Sequence, residues 1–100
     1  MEYNEYLNKC IIVGLTYVDQ NNQITEQTQF HGTIRKISDE GILVERASGQ
    51  GDYLLPPDLN ALEKAAPGEY MLRNSGEVVV DPDFTSQWTV EESAPESQAI

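Results

Sequence analysis

The sequence predicts an all-β fold, a small barrel of five or six strands with one short helix, on three observations. Apolar residues alternate at period two along most of the chain. Turn-forming clusters of Asn, Asp, Ser, Gly and Pro separate the alternating runs. One long run changes phase partway, as a strand does when it bends around a corner. The chain has 100 residues, the size of one domain.

The first run, Cys10 to Val18, is apolar on both faces. Ile11, Val13, Leu15 and Tyr17 point one way, and Cys10, Ile12 and Val18 the other. A strand of that kind is central or covered twice. Asp19 to Asn22 predicts a turn, because Asn and Asp tolerate left-handed backbone and bond to their own main chain. Gln23 to Ile37 then alternates clearly: Ile24, Thr28, Phe30, Gly32 and Ile34 face the core, and Thr25, Gln27, Gln29, His31, Thr33 and Arg35 face water. Ile37 is out of phase, which predicts a bulge near Lys36. Gly32 is a second bend point.

Ser38 to Gly41 predicts a tight hairpin, followed by a strand through Ile42 and Val44. Ala47 to Gly51 predicts a flexible loop, and Tyr53-Leu54-Leu55 a short strand ended by Pro56-Pro57. Asp58 can cap a brief helix with Leu59, Leu62 and Ala65 at helical spacing, stopped by Pro67-Gly68. A hairpin is expected from Glu69–Arg73 to Glu77–Val80, and a last short strand at Trp88 to Val90. The expected domain is 1–90 and the expected disordered acidic tail is 91–100. Ile11, Val13, Phe30, Ile34, Ile42, Val44, Tyr70 and Leu72 are expected in one core.

Charge narrows the function classes. Seventeen acidic residues against six basic ones give a net charge of -11. Nucleic acid and anionic membrane are polyanions engaged through Lys and Arg, so neither is an expected partner. The basic residues are scattered, Arg35-Lys36 being their only adjacent pair, and none follows Arg73. One cysteine permits no internal disulfide. The first residues lack a basic and an apolar region, so no secretory signal is read there, and no apolar run approaches a membrane span. The expected location is cytoplasmic.

No catalytic, metal or phosphate motif stands out, and neither enzyme activity nor a cofactor is expected. Cys10 and His31 are single residues of their types, better explained as a small core side chain and a solvated strand residue. Asp81-Pro82-Asp83 lacks the oxygen ladder of a calcium loop. A small hydrolase or metal enzyme would need a second titratable cluster. The candidate protein-binding residues are Gln27, Gln29, His31, Thr33 and Arg35 on the wet strand face, with Tyr53 in the Tyr53-to-Asp58 loop and Trp88, a candidate anchor, as the next candidates. From Gln27 to Thr33 that face carries no charge apart from a titratable His, which lowers the desolvation cost of covering it. If His31 sits in an interface, association changes between about pH 5 and 8. The expected partner is a protein, a basic one by charge complementarity, with self-association as a further option.

Ile11-Ile-Val-Gly-Leu15, Phe30-His-Gly-Thr-Ile34 and Gly41-Ile-Leu-Val-Glu45 resemble the first motif of the Sm-like proteins, over residues 9–45. The resemblance implies an SH3-like barrel and, as an alternative function, RNA binding in a ring. The chain departs from that family in lacking a second motif with the basic and Gly residues of a uridine pocket, and in its insertion from Pro56 to Gly68. Gly68-Glu69-Tyr70 and Gly76-Glu77-Val78-Val79 are similar to recurring phrases of small acidic bacterial proteins of unknown function. The expected function is a non-enzymatic protein-interaction module: an inhibitor, adaptor or immunity-type protein.

Overall fold

A curled sheet with its two faces covered differently organises the molecule. The computed structural model describes residues 4–47, 49–73 and 75–91. In these, the strands are β1 (Cys10–Val18), β2 (Ile24–Ser38), β3 (Gly41–Arg46), β4 (Asp52–Leu55), β5 (Glu63–Lys64), β6 (Glu69–Met71), β7 (Val78–Val80) and β8 (Phe84–Glu91). Six of them form a sheet of order β4-β3-β2-β1-β8-β5, and β6 pairs with β7 in a separate hairpin. Every pairing is antiparallel except β1 with β8, which run parallel.

The turns follow from local chemistry. Asp19 accepts hydrogen bonds from the amides of Asn21 and Gln23 through Oδ1, and Asn22 takes the left-handed backbone, with φ 65°. β2 and β3 meet at Ser38 and Gly41. Gly41 has φ 148°, and a Cβ there would strike the Leu55 carbonyl oxygen, so this corner requires glycine. The pairing of β2 with β3 shifts between Ile34 and Lys36. Arg35 is therefore the extra residue that restores Ile37 to the core side, as the phase change predicted.

The main core lies on the inner face of the curl. Ile11, Val13, Leu15, Ile34, Ile42, Val44, Leu55, Leu62 and Phe84 are buried there together. Phe30 packs against this cluster but is only half-buried. The opposite face of β1 is covered by the β6–β7 hairpin, where Ile12, Leu72 and Val79 form a second cluster with Cys10 and Tyr70 at its margin. β1 is thus covered twice, as its two-sided apolar pattern required. Tyr70 and Leu72 belong to this second cluster, which corrects the expectation of a single core. The hairpin's parity was visible in the sequence, but not which sheet face it would meet.

Two further expectations are corrected. In place of a helix spanning Leu59 to Ala65, there is one 3-10 turn, Leu59–Ala61, capped by Asp58, whose side chain accepts from the Asn60 amide. A spacing of three satisfies a 3-10 turn as well as an α-helix, and it brings Leu59 and Leu62 onto the core. The last strand begins at Phe84, not near Trp88, and includes Glu91. The rest of the expected tail, 92–100, lies outside the described residues. Among the described residues no pairing joins β4 to β8, so the sheet curls without a closing ladder. No helix among them is long and apolar enough to cross a membrane.

Candidate functional site

The curl brings β4, one end of the sheet, near the part of β8 that β5 leaves uncovered, without joining them. β4 supplies Tyr53, Leu54 and Leu55, and Pro56 follows them, to one wall of a groove of about 380 Å³, and β8 supplies Trp88, Thr89, Val90 and Glu91 to the other, with Leu15 of β1 also lining it. Strand parity explains the apolar lining. Trp88 stands opposite Leu15 and Val90 opposite Tyr17 in the parallel register, which places both on the core side of β8. Tyr53 and Leu55 stand opposite Val44 and Ile42, on the same side of β4. Leu54 is half exposed, at 52 %.

The groove's aromatic residues are held in place. Trp88 donates from Nε1 to the Ser86 hydroxyl at 2.9 Å. Ser86 is itself buried at 3 % exposure, and this bond satisfies both polar groups inside an apolar wall. The Tyr53 ring packs on Phe30 at 5.3 Å between centroids, tilted by 48°. The Arg46 guanidinium covers both rings, 5.7 Å from the Phe30 centroid and 5.6 Å from that of Tyr53. Its N–H groups donate to the carbonyls of Gln50 and Gly51. Arg46 is thus committed to bracing the aromatic pair. Among the described residues, the one charged residue lining the groove is Glu91, and the exposed Asp52 begins the β4 edge.

The remaining candidates lie on the other face of the sheet. Gln27 and Gln29 line a polar recess of about 340 Å³ with Thr16, Gln87 and Arg73. Gln29 Oε1 accepts from the Arg73 amide at 2.8 Å. His31 Nε2 lies 3.7 Å from Glu77 Oε1, beside the docked hairpin. Thr33 is half-buried between Cys10 of β1 and Glu45 of β3. Arg35, in the bulge, donates to Glu45 Oε1 at 2.7 Å and to Asn8 Oδ1 at 3.0 Å. The seven candidates therefore divide: Tyr53 and Trp88 share the groove, while the β2 residues serve the hairpin and the bulge. The wet face was expected to be open, and the chain's own hairpin takes up part of it. Leu15, Thr89, Val90 and Glu91 complete the groove without having been singled out as binding residues. Their signal was hidden because the parallel pairing of β8 has no local signature.

A wider hollow of about 550 Å³ is lined by Glu5, Lys9, Lys64, Asp81 and Asp83, among others. Its carboxylates brace the backbone. Asp81 accepts from the Gly68 amide at 2.8 Å, and Asp83 from the Cys10 amide at 2.9 Å. Burial, and then the negative charge of Asp83, pushes the Cys10 thiol above its usual range, which disfavours the nucleophilic thiolate. Among the described residues no group of three or more His, Cys, Asp or Glu side chains is placed to hold a metal ion. The chain matches no protein-family model, no curated protein and no solved structure.

Proposed function

We propose that this protein is a non-enzymatic protein-interaction module, an inhibitor, adaptor or immunity-type protein, built as an SH3-like barrel whose seam is left open for a partner. The observation that carries this reading is the meeting of Tyr53 and Trp88 in one apolar groove between two strand edges. Aromatic anchors in a partly desolvated concave site are what protein interfaces use for affinity. The acidic surface, at net charge -11, favours a basic partner and opposes nucleic acid and anionic membrane.

Affinity capture from a bacterial lysate tests the reading, using three baits: the native chain, the double variant Leu54→Asn, Pro56→Ser, and Val80→Asn on the outer hairpin face. All three substitutions fall at exposed positions. A protein retained by the native chain and by Val80→Asn, but lost with the seam variant, supports the groove. Equal retention by the seam variant removes the groove. Loss with Val80→Asn alone moves the interface to the hairpin.

A further inference from the structure

We infer that the occupant of the seam is an extended segment of a partner protein, bearing lysine or arginine at alternate positions, that adds as a strand to the free edge of β8. The inference rests on the seam being the binding site and goes on to name the partner's form and charge.

The first ground is the edge itself. β5 covers β8 only at Phe84 and Thr85. From Ser86 to Glu91, among the described residues, β8 pairs on one side alone, with β1. Six residues of strand expose about 20 Å of backbone edge. Alternate residues there turn their N–H and C=O groups away from β1. Monomeric proteins protect such edges with Lys, Pro, bulges or inward charges. Ser86-Gln-Trp-Thr-Val90 has no charged residue and no proline, and its register with β1 runs without a shift. Up to Glu91 at its end, it is an unprotected edge beside an apolar groove.

The second ground is the side-chain pattern a new strand would meet. A strand laid along β8 directs every second side chain toward Trp88, Val90, Tyr53 and Leu55, which are apolar or aromatic. Its other side chains lie on the face of Gln87 and Thr89, which are exposed and polar. The matching segment alternates apolar and polar residues.

Charge complementarity fixes the polar set. Glu91 lines the groove, no Lys or Arg does, and Asp52 stands at the start of β4. A second copy of this chain would bring its own charge of -11 against the same surface, so it fits less well than a basic strand.

The test uses four probes with the full chain: the fluorescein-labelled peptide Lys-Val-Lys-Val-Lys-Val-Lys, its Glu-for-Lys counterpart, its backbone N-methylated form, and a fluorescein-only control. Binding is read by anisotropy at low and physiological salt. The expected result is that the Lys peptide binds at least about ten-fold more tightly than the Glu peptide and the N-methylated form, and weakens with salt. Equal affinity of the Lys and Glu peptides overturns the charge assignment. Equal affinity of the N-methylated form overturns strand addition. Absence of binding by every peptide up to about millimolar concentration, the weak limit of a specific contact, overturns the inference outright. Preference for the Lys peptide that survives Leu54→Asn, Pro56→Ser shows a strand bound elsewhere, and in that case the seam reading fails too.

Discussion

Ile34 is completely buried in the main core, whereas Phe30 sits at its margin under Arg46. Truncating each to alanine should therefore separate them. Ile34→Ala should cost about 3 kcal/mol, the middle of the range for large-to-small core substitutions. Phe30→Ala should cost about 2 kcal/mol, since part of its ring already meets water. Chemical denaturation of both variants checks the order, and a larger loss at Phe30 would misplace the core. Cys10 offers a second check. Its thiol is held above the ordinary range by burial and by Asp83, so at pH 8 it should be alkylated by iodoacetamide several-fold more slowly than in the urea-unfolded chain. Equal rates would contradict a protected thiol. Much at this scale was legible. The out-of-phase Ile37 disclosed the bulge at Arg35, and the positive φ at Gly41 followed from its place after Asp39-Glu40. The role of Gly32 was legible only in part. A Cβ there would meet the Glu45 carbonyl oxygen across the strand pair, so the residue permits close backbone approach, and the shift in pairing falls at Arg35 instead.

At the scale of elements, the β6–β7 hairpin is the piece whose attachment is thinnest. Two strands alone are marginally stable, so the hairpin depends on docking against β1 and β2. Leu72, with 1 % exposure, anchors it beside Ile12. Leu72→Ala should cost about 2 kcal/mol and release the hairpin before the main sheet. Residue-resolved hydrogen exchange would show this as lost protection at Tyr70 and Val79, with β1–β3 amides unchanged. Uniform loss across the sheet would mean that the hairpin and sheet form one cooperative unit. The His31–Glu77 contact should matter less. The pair is 3.7 Å apart and both side chains are partly exposed, so Glu77→Gln should change stability by less than about 1 kcal/mol. The hairpin itself was legible from the turn-forming residues that the sequence puts between two apolar runs at 69–73 and 77–80. Its docking face was not, because alternation says that one side is apolar without saying what will cover it. The parallel pairing of β8 was equally hidden, since a strand that returns beside the first after a long crossover leaves no short-range pattern.

At the scale of the whole molecule, charge and an open seam set what the protein can do. The six basic residues do not assemble a patch at the groove: none lines it, and Arg35 and Arg46 are engaged by the chain itself. Labelled oligo-uridine should therefore show no submicromolar binding at physiological salt, and such binding would restore the Sm-like RNA-binding alternative. All-β architecture followed from alternation and turn chemistry, whereas the expected barrel stands only as a six-stranded sheet with no ladder joining β4 to β8 among the described residues. The seam did not follow, because it exists only where two distant strands fail to pair. Its openness and use are most directly tested by amide hydrogen exchange along β8 and β4, in the free protein and with the Lys-Val peptide. An open seam predicts that alternate amides from Ser86 to Glu91 exchange rapidly in the free chain and become protected, along with outward amides of Asp52–Leu55, when the peptide binds. Uniform protection of β8 in the free chain, or new protection confined to the β6–β7 hairpin, would contradict it.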